Sequence, residues 1–146
     1  MLNKDFREFI ESLNSNGVKY LLLGGYAIAF HGHPRYTKDL DIWVELSETN
    51  AEKILQALED FGFGGLELTK DDFLLVGQVV QLGYSPNRID VINSPSGVDF
   101  AECYACRLEI EIDGITISLI DLENLKKNKK AAGRLQDLAD LEKLEE

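Results

Sequence analysis

Basic residues are scarce in this chain. Fifteen Lys and Arg stand against 26 Asp and Glu among 146 residues, a formal net charge of −11. A protein that grips nucleic acid without regard to sequence needs a basic face, and this balance weighs against one. Long apolar runs are missing too. No stretch reaches the length of about 18 apolar residues that a membrane-crossing helix needs. The N-terminus, MLNKDFREFIESL, is charged and amphipathic and carries no signal-peptide core, so the expected location is the cytoplasm. Cysteine is limited to Cys103 and Cys106, a lone C-x-x-C. Zinc would need two further ligands, and the two histidines, His31 and His33, lie far away in sequence. The pair falls late in a predicted helix, VDFAECYAC, whereas a redox pair sits at a helix start after a strand. The two thiols therefore read as packing groups. His31 ends a predicted helix and His33 precedes Pro34, so both read as loop residues rather than an H-x-H metal pair. Three prolines and 45% hydrophobic residues, with no repeat or linker, predict one ordered domain over 1–146 with a real core.

The informative stretch runs from Leu21 to Glu45, LLLGGYAIAFHGHPRYTKDLDIWVE. Val18 to Leu23 is nearly continuously apolar, the pattern of a strand covered on both faces. Gly24 and Gly25 follow, and glycine allows positive φ and close approach to the backbone. Tyr26 to His31 predicts a short helix that stops at Gly32 and cannot pass Pro34. A glycine turn feeding a helix presents N–H groups suited to phosphate. Alone, that signal is weak, because many such turns are only turns.

The next segment sharpens it. From Asp39 to Val44 the residues alternate, with Asp39, Asp41 and Trp43 on one face and Leu40, Ile42 and Val44 on the other. A strand places the two carboxylates on one side with Cα atoms roughly 6–7 Å apart. Such a pair suits Mg²⁺, a hard cation that prefers oxygen, and without a cation the like charges would repel. Arg88 to Ile92, RIDVI, supplies a third acid: Asp90 lies inside an apolar run, where burial is expensive unless something pairs with it. Asp99 competes with it, but reads as the acid near the start of the next helix.

Gly24-Gly25, thirteen intervening residues, Asp39-Leu40-Asp41, and Asp90 in a later strand together resemble the signature of the polymerase-beta nucleotidyltransferase superfamily. The chain is most similar to its small single-domain members grouped with the AbiEii-type toxins. The matching pieces are LLLGGYAIAFHGHPRYTKDLDIWV, RIDVINSPSGVDF and NKKAAGRLQDLADLEKL, so the likeness extends over nearly the whole chain. It implies Gly24 and Gly25 against a triphosphate. It implies Asp39, Asp41 and Asp90 as the metal-binding and catalytic carboxylates. Arg35 and Thr37 would lie at the nucleotide phosphates, with Lys129 the basic residue before the final Gly-Arg.

Lys126, Lys127, Lys129, Lys130 and Arg134 cluster near the C-terminus. Leu122, Leu125, Lys129 and Ala132 follow helical spacing, so Lys129 belongs to the inward stripe and wants an anion there, while its neighbours point outward. Helices are predicted from Lys4 to Asn14, from a Ser47 cap to Phe61, from Lys70 to Leu75 under a Thr69 cap, and on either side of Gly133. Further strands are predicted at Val79–Leu82 and Arg88–Ile92. A hairpin joins Arg107–Ile112 to Ile115–Ile120 through Asp113-Gly114. The fold class is α/β (α+β), a mixed sheet with helices packed on it, the order of a nucleotidyltransferase core.

The expected function is Mg²⁺-dependent transfer of a nucleoside monophosphate from an NTP to a hydroxyl, with two Mg²⁺, or Mn²⁺ in their place. The acceptor is open between a protein, a tRNA end and a small molecule. A toxin-like role with a small helical partner protein is one form of this. Two other classes stand beside it. One is an NTP- or metal-binding module without turnover, disfavoured because all three carboxylates are present. The other is a regulatory partner whose acidic surface suits a basic protein.

Overall fold

The computed structural model describes residues 2–84 and 87–145. Helix α1 (Lys4–Ser15) starts because Asn3 Oδ1 accepts from the Phe6 N–H at 2.8 Å, and it buries the stripe Phe6, Phe9, Ile10 and Leu13. The next strand, β1 (Tyr20–Leu23), has all four residues buried. It is two residues shorter than its apolar run: the Val18 N–H turns back to Leu13 O and the Lys19 N–H goes to Asn50 Oδ1 at 2.8 Å. Helix α2 (Gly24–Phe30) begins on the two glycines themselves rather than after them. It ends at His31, whose ring Nε2 lies 2.7 Å from the Ile120 carbonyl. His31 thus ties the helix end to the sheet.

Strand β2 (Leu40–Val44) begins just after Asp39. The serine expected to open the next helix does so: Ser47 Oγ accepts from the Asn50 N–H, and α3 (Glu48–Phe61) stops at Gly62, φ 107°. Helices α1 and α3 pack on each other, pinned where Ser12 Oγ donates to Ala57 O at 2.6 Å. A single 3₁₀ turn, Gly64–Leu66, follows. Helix α4 (Asp71–Leu74) corrects the capping assignment: the Thr69 N–H and hydroxyl both donate to Asp72 Oδ2, so Asp72 is the acceptor and Thr69 the donor.

Strands β3 (Val79–Leu82) and β4 (Ile89–Ile92) come next, then α5 (Phe100–Ala105). Asp99 Oδ2 accepts from the Glu102 N–H at 3.1 Å and so caps α5, its predicted role. Cys103 is buried and Cys106 exposed, both free. Burial, with Asp121 nearby, pushes the Cys103 thiol up to about 11, which leaves it an inert packing group. Strands β5 (Leu108–Ile112) and β6 (Ile115–Leu119) form the predicted hairpin. Asp113 and Gly114 turn it with φ of 52° and 83°. Helices α6 (Leu122–Ala132) and α7 (Leu135–Leu144) close the chain around Gly133, φ 67°.

The six strands make one mixed sheet in the order β3-β4-β2-β1-β6-β5. Pairs β1/β2, β3/β4 and β5/β6 are antiparallel, and β1/β6 and β2/β4 are parallel. The buried strand β1 sits inside the sheet, as its unbroken apolar run requires. Among the described residues no helix is long and apolar enough to cross a membrane.

Candidate active site

Strand register builds the floor of the site. In β2/β4, Asp41 stands opposite Asp90 and Trp43 opposite Ile92. In β3/β4, Gln81 stands opposite Asp90 and Val79 opposite Ile92. Because side chains alternate, one face carries a row Asp41–Asp90–Gln81 above an apolar row Trp43–Ile92–Val79. This face opens into a cavity of about 680 Å³, walled on other sides by Gly24, Gly25, Arg35, Lys129 and Arg134. Six of the eight residues singled out in the sequence therefore line one cavity. Thr37 bonds to Arg35, which lines the cavity, and Asp39 to Arg88, which in turn pairs with Asp90 of the lining.

Both glycines are required by what leans on them. Gly24 has φ +67°, and a Cβ there would collide with the Asp41 carboxylate. Gly25 is unstrained, but a Cβ would come within 2.7 Å of the Thr37 methyl and 3.1 Å of an Arg35 guanidinium nitrogen. The pair lets Asp41 and the Arg35–Thr37 loop close over the start of α2. Thr37 Oγ1 itself donates to Arg35 O at 3.2 Å.

The carboxylates are not alike. Burial, then the Asp90 charge, pushes the Asp41 carboxyl up to about 6, against the opposing pull of Lys129 and Arg88. Among the described residues Asp41 accepts no hydrogen bond and pairs with no cation. Asp90 and Asp39 are compensated by Arg88. Its Nε donates to Asp90 Oδ1 at 2.7 Å and its Nη2 to Asp90 Oδ2 at 3.0 Å, while Nη2 also lies 3.3 Å from Asp39 Oδ2. The Arg88 N–H donates to Asp39 Oδ1 at 3.1 Å. Arg88 escaped the sequence reading, although its i, i+2 spacing from Asp90 already put the two on one strand face.

Lys129 is inward-facing as its spacing predicts, at 6% exposure. It is not, however, an unpaired charge awaiting an anion. Its Nζ lies 3.2 Å from Asp137 Oδ1 and 3.1 Å from Asp140 Oδ2, the second contact not aligned as a hydrogen bond. Asp137 and Asp140 are themselves buried, at 2% and 1%. Arg35 Nη1 donates to Asp140 Oδ1 at 2.8 Å, and Arg134 Nε to Asp137 Oδ2 at 2.6 Å. Burial works to raise the Asp137 carboxyl, but hydrogen bonds from Arg134 and Lys129 outweigh it and hold it low. Three cations on two carboxylates leave this wall positive. The two acids were missed because QDLADLEKL reads as an ordinary polar helix. Their i, i+3 spacing, which stacks them on one face, was the available signal.

The donor set suits a hard divalent cation: carboxylate oxygens, one of them on a half-buried side chain, Asp41, with no hydrogen bond or ion pair among the described residues. Asp41 and Asp90, neighbours across β2/β4, could hold such an ion. Among the described residues no three acidic, cysteine or histidine side chains are gathered as a ligand set, and Asp39 and Asp90 are both paired with Arg88.

No protein-family model matches the sequence, and no curated protein is significantly similar to it in sequence. Solved structures are similar in fold. A candidate nucleotidyltransferase from Thermotoga maritima, TM1012, superposes with a TM-score of 0.61 at 16% identity over 94% of this chain and 88% of that one. The lincosamide antibiotic adenylyltransferase LnuA, solved with lincomycin, gives 0.57 at 14% over 99% and 97%. An antigenic nucleotidyltransferase-like protein from Paracoccidioides brasiliensis gives 0.54 at 14% over 96% and 74%. The chain has the nucleotidyltransferase fold.

Proposed function

We propose that this protein is a metal-dependent nucleotidyltransferase that moves a nucleoside monophosphate from an NTP to a hydroxyl. The observation that carries the reading is the Asp41–Asp90 pair on the floor of a cavity whose opposite wall is cationic. Asp41, Asp90 and Asp39 would hold the divalent cation, which supplies charge stabilisation on the oxygens of the reacting phosphate. Gly24 and Gly25 let Asp41 and the Arg35–Thr37 loop close on the start of α2, beside which the triphosphate would lie. Arg35 and Lys129, already oriented by Asp137 and Asp140, offset charge building on the pyrophosphate leaving group. Arg134 extends that wall. Asp90 lies on the side of the pair toward β3 and takes the proton of the attacking hydroxyl. Its oxygens keep lone pairs beyond the two bonds from Arg88.

The acceptor reading that fits best is a small molecule. The cavity wall on the β3 side is apolar and uncharged around Val79, Ile92 and Pro95, with Gln81 and Ser96 as its polar groups. A tRNA end would call for cations there. LnuA, an adenylyltransferase of a small antibiotic, supports this by fold alone. A toxin-like role, with a protein or tRNA acceptor and a small partner protein, is the second form of the same activity.

The test is incubation with each α-labelled NTP, Mg²⁺, and separated small-molecule, RNA and protein fractions of a cell extract. Label in the small-molecule fraction is expected. Label in RNA or protein moves the acceptor to those classes, and no label in any fraction overturns the transferase reading.

A further inference from the structure

Helix α7 is amphipathic in the reverse sense. Its buried face carries Asp137 and Asp140, with Leu144 at the far end, while its other leucines point outward. Leu135 is 88% exposed and Leu138 46%, and Leu141 is half-buried beside them. The i, i+3, i+6 spacing sets these three along one stripe. Leu138 and Leu141, with Glu142 and Glu145, line a groove of about 310 Å³. Such a stripe is apolar surface that association would remove from water.

Charge along the stripe is ordered. Arg134 stands just before its first leucine, with its side chain 79% exposed. Its Nε and Nη2 donate to Asp137, and its Nη1 donates to nothing among the described residues. Glu142 and Glu145 stand at the other end, and neither side chain has a hydrogen bond or ion pair among the described residues. The stripe is therefore basic at its start, apolar in its middle and acidic at its end.

We propose that this stripe is the contact between two copies of the chain, paired through antiparallel α7 helices about a two-fold axis at Leu138. A two-fold contact is self-complementary: where one residue meets a second, the second meets the first. With Leu138 on the axis, Leu135 of each copy meets Leu141 of the other, and Arg134 meets Glu142. A parallel pairing would set arginine on arginine and glutamate on glutamate. A lipid surface is a poorer occupant, because the stripe ends in two acids that anionic headgroups repel. Ten helical residues span only about 15 Å, so the contact falls short of a standard interface and its Kd is expected above about 1 µM. The inference stands apart from the transferase reading and does not depend on it.

Sedimentation equilibrium of the full chain tests it, over about 1–500 µM, a span set by the weak Kd expected of so small a contact. Wild type is expected to move from the mass of one chain toward that of two as concentration rises. Leu138→Glu sets two like charges on the axis and is expected to weaken association at least about tenfold, the scale for a lost interface anchor. Glu142→Arg sets an arginine against Arg134 and is expected to weaken it as well, by a factor that shrinks in high salt. Should Leu138→Glu fail to fold, Leu135→Glu replaces it, at a position that its own chain barely touches. The mass of one chain for wild type at every concentration overturns the inference and leaves the stripe to a partner other than itself. A dimer of wild-type strength in the leucine variant overturns it too, because the contact then lies elsewhere.

Discussion

Asp41 and Asp90 face each other across two parallel strands, and an arginine compensates only one of them. Asp90 is paired through both oxygens, while Asp41 stands half-buried with its carboxyl lifted to about 6. This inequality gives the site a measurable pH signature. Because the folded value lies above the ordinary one of about 3.9, the folded chain holds this proton more tightly than the unfolded chain. The stabilisation is complete below about pH 4 and is lost as pH rises through about 6. Without metal, the protein is expected to lose on the order of 1–3 kcal/mol from this group by neutral pH. Asp41→Asn should therefore melt above wild type at neutral pH in EDTA and level with it near pH 4. Added Mg²⁺ should stabilise wild type and not the variant. A variant less stable than wild type at neutral pH in EDTA would show that Asp41 is already paired.

The third acid separates cleanly from its competitor. Asp90→Asn is expected to keep the fold and to reduce nucleotidyl transfer by at least about a hundredfold, the scale for a lost base or metal ligand. Asp99 caps α5, and asparagine caps nearly as well, so Asp99→Asn should leave both rate and stability close to wild type. Rates and melts on the two variants check this. The reverse ranking would move the chemistry to the loop that holds Asp99.

Lys129 faces inward as its spacing predicts, and the anions it meets there are Asp137 and Asp140. Removing it leaves Asp137 and Asp140 buried with one cationic partner fewer each. Lys129→Ala is expected to cost about 2–4 kcal/mol, somewhat below a fully orphaned buried charge because Arg134 and Arg35 stay in place. Asp137→Asn in the same chain should recover part of the loss. Lys126→Ala and Lys127→Ala should change little. Urea titrations of the set decide it, and equal stability of all three alanine variants would make Lys129 an ordinary surface charge.

Gly24 offers a steric test. Gly24→Ala places a residue at φ +67°, at about 1–2 kcal/mol, and drives its methyl into the Asp41 carboxylate. It is expected to lower the melting temperature and to abolish transfer by displacing Asp41. Wild-type transfer by this variant would mean that Asp41 can sit elsewhere and still work.

Much of this was legible because it is local. Alternation marks Asp41 and Trp43 on one face of β2, an Asp-Gly pair turns the β5/β6 hairpin, and helical spacing turns Lys129 inward. What was not legible is what register decides between distant segments. No local pattern says that Arg88 will meet Asp39 across β2/β4, or that Asp140 of α7 will reach Arg35 in the loop before β2. The start of α2 on Gly24 was hidden for a related reason. Glycine is a poor helix former on its own propensity, and the demand for it comes from Asp41, seventeen residues later. Asp72 rather than Thr69 as acceptor is a local choice between two polar side chains that spacing alone does not decide.

The most direct measurement compares ATP labelled on the α-phosphate with ATP labelled on the γ-phosphate, each incubated with Mg²⁺, extract, and either wild type or Asp41→Asn. Nucleotidyl transfer at Asp41 and Asp90 predicts α-label on the acceptor, γ-label released in pyrophosphate, and neither with Asp41→Asn. Finding γ-label on the acceptor, or α-label carried equally by the Asp41→Asn protein, would contradict it.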